Sequence, residues 1–359
     1  MSTVTSTVQP CPALQDSLNR WFQTCVNKRQ DSPLLSFLLS DANSSGVRQV
    51  VNPMGGKKRQ VNLIYDQVIP LSDVSAVASC DRVCDASTER GDLVATYEID
   101  CTDGYYVEGK INLADWNESC RDNNEVIASR LQLMIDALVQ KVASGVAADL
   151  NPLIGDWSTD VSSAGMTLDA DGFLNVATFA SGSTTQIDPT AFQKIQGAKM
   201  MTGFCAPTFV VGGYDLYAYY TLMKAGCCTQ DGINALDILA QQGEVVTYDR
   251  WVANAFGNDV SLMLQLGSAQ LLTYNAVTKP LAIGGLSDLD MTYRNYWEGI
   301  IVDPISGLPI DISIKNDCGV VHVVLTATAK PVALPNDMWP AGHQLEGVNY
   351  LTGIQVVNS

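Results

Sequence analysis

The segment Gly104-Tyr-Tyr-Val-Glu-Gly-Lys110-Ile111 comes within one residue of the phosphate-binding pattern G-x-x-x-x-G-K-[ST]. That pattern works because backbone amides cradle phosphate while the last hydroxyl meets magnesium. Here the last position is Ile111, and Tyr105, Val107 and Ile111 alternate as strand residues do, so the segment reads as a structural hairpin. Gly212-Gly213 stands between strand-like and helix-like runs, where a dinucleotide-binding turn would stand, but the G-x-G-x-x-G spacing is missing. Close backbone packing is the expectation there. Asp169-Ala-Asp171-Gly172 resembles the middle of a calcium loop, yet Thr167 and Thr178 occupy the first and last ligand positions. A plain Asp-Gly turn is expected.

The only imidazoles are His322 and His343. His322 alternates with Val321 and Val323, as a strand residue on the less buried face would, and His343 lies in the loop Pro340-Ala-Gly-His. No G-x-S-x-G elbow accompanies a serine. Cys80 and Cys84 form C-x-x-x-C and Cys227-Cys228 are adjacent, but no second pair or nearby His completes a zinc set. Nothing in the spacing of the carboxylates singles out an acid/base pair. The expectation is therefore no catalytic residue, no cofactor-binding residue, no metal ligand and no cofactor: a structural or binding protein rather than an enzyme.

Composition points the same way. In 359 residues, Lys and Arg total 21 against 38 Asp and Glu, a formal charge of -17, the wrong sign for gripping phosphates. Hydrophobic residues make up 47%, enough for a core, while charged residues at 16% fall well below the usual quarter. So few charges on a long chain point to faces buried against neighbours. The N-terminal Met1-Ser-Thr-Val-Thr-Ser-Thr-Val carries neither a basic region nor an apolar one, so no signal peptide is legible. The ten cysteines then read as reduced, small apolar side chains. No uninterrupted apolar run reaches the length of a membrane helix, and no membrane span is expected.

The elements follow from periodicity. Leu14, Leu18, Trp21, Phe22 and Cys25 recur at helical steps before Asp31-Ser32-Pro33 stops the pattern. Leu34 to Leu39 form a second apolar cluster, needing a surface from the rest of the fold or from a neighbouring subunit. Residues 47–51 and 61–65 read as strands joined by Asn52-Pro-Met-Gly-Gly-Lys-Lys-Arg59, whose paired glycines accept positive φ and whose tip carries three cations. With 92–99 and 105–111 also extended, this region lacks an obvious core, so a protruding two-stranded ribbon lying across an adjacent copy is expected. Asp122 and Glu125 mark the start of a long helix with Ile127, Leu131, Met134, Ile135, Leu138, Val142 and Val146 on one face. After a Ser/Thr/Gly-rich stretch at 155–182 come a strand at 205–211, a helix at 214–224, a helix at 231–242, and strands at 244–248 and 262–266. Strands at 297–303, 308–314 and 320–327, separated by Asp-Pro-Ile-Ser-Gly and Asn-Asp-Cys-Gly, suit an antiparallel meander.

This order of arm, hairpin, long helix, α/β unit and meander resembles the major capsid proteins of tailed bacteriophages, the Hong Kong 97 type fold. The matching residues are the hairpin around Asn52 to Arg59, the helix Asn124 to Leu150, Ala206-Pro-Thr-Phe-Val-Val-Gly-Gly-Tyr-Asp-Leu216, and Glu298-Gly-Ile-Ile-Val-Asp303 with the strands after it. The resemblance implies an α+β fold with an N-arm over 1–46 and an extended E-loop over 47–111. It places the spine helix and part of the P-domain over 112–200, an α/β A-domain over 201–296, and terminal antiparallel strands completing both domains over 297–359. It implies a protein that self-assembles, as hexamers and pentamers, into an icosahedral head enclosing double-stranded DNA without reading its sequence. The implied location is the virion, with assembly in the host cytoplasm, and portal, scaffold and decoration proteins are the implied further partners. Met54, Gly55, Gly56, Lys57, Lys58 and Arg59 are the candidate assembly contact: the cations either meet an acidic patch on the next subunit or merely solvate a loop. Two other readings stand beside it, an enzyme-housing shell of the same fold and an α/β enzyme using a cleft beside Gly212 and Gly213 with acidic residues at strand ends as its active site.

Overall fold

The structure is a computed structural model that describes residues 29, 31–40, 48–53, 59–66, 92–99, 103–112, 123–157, 161, 166–179, 188, 190–204, 208–224, 245–275, 296–317, 319–333 and 351–357. The chain divides into two compact units, and both are discontinuous in sequence. Unit 1 takes Met1–Asp31, Asp100–Ala143 and Thr273–Lys330; unit 2 takes the rest.

Unit 1 holds an antiparallel sheet in the order β10 (Tyr296–Val302), β11 (Pro309–Asp317), β12 (Val320–Ala333, running on into unit 2), β4 (Gly104–Asn112). Its strands alternate as a half-buried sheet should: Ile310, Ile312 and Ile314 of β11 and Val321, Val323 and Leu325 of β12 are buried, with half-buried residues between them. Gly307 and Gly319 take φ of 77° and 91° at the two tight turns. The meander is as expected. Unexpectedly, β4 is one continuous strand, not a hairpin, and it pairs with β12 from Asn112 opposite Val320 to Gly104 opposite Thr328. The long helix, Asn123–Asp149, runs from unit 1 into unit 2, and Ile127, Leu131, Ile135, Leu138, Val142 and Val146 are all buried along the anticipated face. The segment Ser129–Leu153 has the length and composition of a membrane span although polar residues interrupt its apolar run, and more than half of its most apolar window is buried inside the protein.

Unit 2 contains a mixed sheet in the order β5 (Leu174–Val176), β13 (Leu351–Val356), β8 (Val260–Gln265), β6 (Thr208–Gly212), β7 (Val245–Tyr248). β6 and β8 lie inside the sheet and are buried at every position, which is why they read as apolar runs instead of alternating. Helices Ala191–Met201 and Tyr214–Lys224 contribute Phe192, Ile195, Leu216 and Tyr219 to a core shared with Trp157, Val210, Met263 and Ile354. The second helix has the expected bounds, whereas the first was not anticipated: Gly197 interrupts its propensity and Thr190 makes no side-chain cap.

The hairpin is present, with β1 (Arg48–Pro53) antiparallel to β2 (Arg59–Asp66). It is not a two-stranded ribbon, because β3 (Asp92–Ile99) pairs along the whole of β2. Val61, Leu63 and Ile99 are buried within the chain, and the Tyr97 hydroxyl donates to the Ala333 carbonyl at 2.9 Å. The premise that this element has no backing in its own chain is therefore corrected. The helical pattern at 12–28, the helix at 231–242, His343 and all ten cysteines lie outside the described residues.

Candidate functional site

Each chemical motif resolves into a structural role. The Lys110 segment is strand throughout, and β4 runs on past Lys110 to Asn112, where a phosphate-binding loop would already have turned into a helix. A Cβ on Gly213 would stand 2.0 Å from the Asn258 carbonyl oxygen, and one on Gly212 would stand 2.3 Å from the Ser261 Cα. The Gly213 amide donates to the Val260 carbonyl at 2.7 Å, so this glycine pair exists to let two backbones touch, as expected. At Asp169 the carboxylate accepts from the amides of Asp171 at 2.9 Å and Phe173 at 2.7 Å, closing a turn in which Gly172 has φ of 77°. His322 is a half-buried strand residue. A polar cavity of about 470 Å³ in unit 2 includes Asp171 and Asp259, but Asp259 is engaged by the Gln355 amide at 2.6 Å. Among the described residues no three metal-ligating side chains converge.

The strongest constellations are two buried carboxylates, Asp303 and Asp249, to which Arg29 and Ser32 of the N-terminal segment donate. In unit 1 the Arg29 guanidinium donates two parallel bonds to Asp303, one of them at 2.7 Å, and a third to Asp31 at 3.2 Å. Asp136 of the long helix sits 3.5 Å from it and accepts from the Gln132 amide at 2.8 Å. Asp303 opens the turn before β11, where Ser306 donates to it through its amide at 2.8 Å and its hydroxyl at 2.5 Å. Burial opposes the charge of Arg29, but its bonds to Asp303 and Asp31 outweigh that and hold its pKa above the ordinary value. Burial also pushes Asp136 upward, and the nearby guanidinium offsets this only in part.

In unit 2 the fully buried Asp249 pairs with no cation among the described residues. It accepts instead from the Ser32 hydroxyl at 2.6 Å and the amides of Leu34 at 3.1 Å, Trp251 at 2.8 Å and Val252 at 3.4 Å. One carboxylate thus serves the N-termini of two helices, Pro33–Leu38 and Arg250–Phe256. Leu34, Leu35 and Leu38 of the first are buried, and Phe37 stacks on Phe209 with centroids 4.3 Å apart. The apolar cluster at 34–39 finds its surface inside its own chain.

Sequence reasoning missed these groups. Gln132 and Asp136 offered a signal, a polar pair four residues apart within an apolar helix face, and Asp303 and Ser306 sit at turn positions where their side chains favour local backbone bonds. Of the candidate assembly contact, residues 54–58 (Met54, Gly55, Gly56, Lys57, Lys58) lie outside the described residues; Arg59 opens β2 opposite Pro53. A groove of about 560 Å³ in unit 1 runs between β4 and the long helix, lined by Val107, Ile111, Leu133, Met134 and Ala137.

No family model matches the chain, and no curated protein matches it. Among solved structures it is similar to the capsid of Ralstonia phage GP4, at 11% identity and a TM-score of 0.46 over 93% of this chain and 94% of that one. It is also similar to a structure from Microbacterium phage Oxtober96, at 11% identity and a TM-score of 0.41 over 94% of both chains. The capsid structure of Staphylococcus phage Andhra is similar at 10% identity and a TM-score of 0.33, over 94% of this chain and 90% of that one.

Proposed function

We propose that this chain is a structural major capsid protein, without enzymatic activity, whose copies assemble as hexamers and pentamers into an icosahedral phage head around double-stranded DNA. The observation that carries the reading is the course of the chain. It builds a hairpin sheet, contributes β4 and a 27-residue helix, lays down β5 to β8 of the mixed sheet, returns to complete the sheet of β4 with β10 to β12, and ends by adding β13 to the mixed sheet. That succession supports the sequence of E-loop, spine helix, A-domain and returning P-domain strands to which the residues were matched. The strongly acidic balance fits an inner wall that does not adhere to packaged DNA. The rival α/β enzyme required a cleft beside Gly212 and Gly213, and the backbones of Asn258 and Ser261 occupy that space.

The virion is the proposed location, with assembly in the host cytoplasm and with portal, scaffold and decoration proteins as further partners. The tip residues Met54 to Arg59 remain the proposed assembly contact. Negative-stain microscopy of the expressed full chain tests the function directly. Closed particles tens of nanometres across are expected; monodisperse monomers or dimers under assembly conditions would overturn the reading.

A further inference from the structure

The turn between β10 and β11 combines two features that rarely serve folding together. Its outer side chains are apolar and open to solvent, with Val302 at 62% and Ile305 at 43% exposure and Pro304 exposed between them. Beneath them the buried Asp303 is clamped by Arg29 and by the amide and hydroxyl of Ser306. A buried ion pair is a weak source of stability against an apolar replacement, because desolvation offsets most of the attraction. What it fixes is geometry, and the geometry fixed here is that of an exposed apolar knob. With its one carboxylate turned inward, the knob presents no charge.

The strand registers place a complementary hollow at the opposite corner of the same sheet. Val302 lies opposite Pro309, and the alignment of β11 with β12 and of β12 with β4 continues that row to Gly104. The groove instead follows β4 from Val107 to Asn112, three strands away and toward the other end. Strand geometry separates knob and groove by roughly 14 Å across the sheet and roughly 18 Å along it. The groove has an apolar lining with one exposed anchor, Leu133, and Gly109, lacking a side chain, lets the Met134 thioether lie against β4 as part of its floor. Its charged lining residues, Lys110 and Arg130, can lay their stems along an apolar guest. A knob and a hollow at opposite corners of one unit make a head-to-tail contact, the kind that closes rings.

We infer that the turn Val302–Ile305 of one copy seats in the groove between β4 and the long helix of a second copy. This rests on the capsid reading and names one of its subunit contacts. The test places a photoreactive benzoylphenylalanine at position 305 of the full chain and assembles it from an equal mixture of 14N- and 15N-labelled protein. Irradiation should give mixed-isotope cross-links to residues 107–112 and 130–137. Leu133→Asp, a change at an exposed position, should raise the concentration needed for assembly by about tenfold or more while leaving the melting temperature of the unassembled chain in place. Particles whose cross-links fall elsewhere, on the same turn of the partner, or only within one copy overturn this contact and leave the capsid reading standing. Unmodified protein that never assembles overturns both.

Discussion

The two units bury a carboxylate in opposite ways. In unit 1, Asp303 is held by a cation, in company with two further carboxylates that share the same guanidinium. In unit 2, Asp249 is held by four neutral donors, three of them backbone amides at helix starts. The difference teaches where each side chain can be replaced. A charge-paired group fails when its partner leaves, because the remaining charges are stranded; a group satisfied by amides keeps its donors through any side-chain change at those positions except one to proline.

The largest expected effect therefore comes from Arg29→Met, which leaves Asp303, Asp136 and Asp31 around an apolar side chain and should cost about 3–5 kcal/mol of unfolding free energy. Adding Asp303→Asn should restore much of that loss, since the amide oxygen still accepts from Ser306. Chemical denaturation of the single and double variants measures the coupling; strictly additive losses would break the contrast drawn between the units.

Asp249→Ala comes next. It leaves four donors without that acceptor and Arg250–Phe256 without its cap, while Ser32 still caps Pro33–Leu38 through the Leu35 amide, for an expected loss of about 2–4 kcal/mol. Ser32→Ala should cost about 1 kcal/mol, because the carboxylate keeps its three amides and only the Leu35 amide loses its cap. If the Ser32 change matched the Asp249 change, the hydroxyl rather than the carboxylate would be the organising group.

A smaller pair of effects separates backbone from side-chain crowding. Gly213→Ala drives a methyl group into the Asn258 carbonyl, which cannot turn away, and should cost about 1–3 kcal/mol. Gly109→Ala meets only the Met134 side chain, its sulfur at 2.9 Å and its methyl at 3.2 Å, and the flexible thioether can shift, so its loss should stay below about 1 kcal/mol. Thermal unfolding of the two variants checks the order.

What was legible in the sequence depended on whether a signal was local. The long helix announced itself through an apolar residue at every turn from Ile127 to Val146, and the β10 to β12 meander through its turn residues. The hairpin of β1 and β2 was legible as well. Its third strand was legible at 92–99 as an extended segment, but its pairing with β2 was not, because 25 residues separate Asp66 from Asp92 and no periodicity carries a pairing across them. The same limit hid both buried carboxylates: Arg29 and Asp303 are 274 positions apart, and Ser32 and Asp249 are 217 apart. The helices Ala191–Met201 and Arg250–Phe256 went unread for a different reason, one interrupted by glycine and the other only seven residues long. Residue chemistry fared better than topology, since the dismissed motifs at Gly104, Asp169 and Gly212 failed on local grounds that the structure repeats.

The subtlest effect is one of sign. Burial, only partly offset by Arg29, raises the pKa of Asp136 above its ordinary value, so its contribution to stability is complete at acid pH and is lost as pH rises through the folded-state pKa. Asp188 in unit 2 runs the other way. Burial there is outweighed by bonds from the Thr190 hydroxyl and amide and by Lys194, which hold its pKa below the ordinary value. Its contribution is present at neutral pH and is lost as pH falls. Asp136→Asn should therefore gain stability relative to the parent chain between pH 3 and pH 7, while Asp188→Asn should lose it over the same interval. Denaturant midpoints at several pH values read both slopes, and slopes of the same sign would mean that the two acidic residues do not differ in the way their surroundings require.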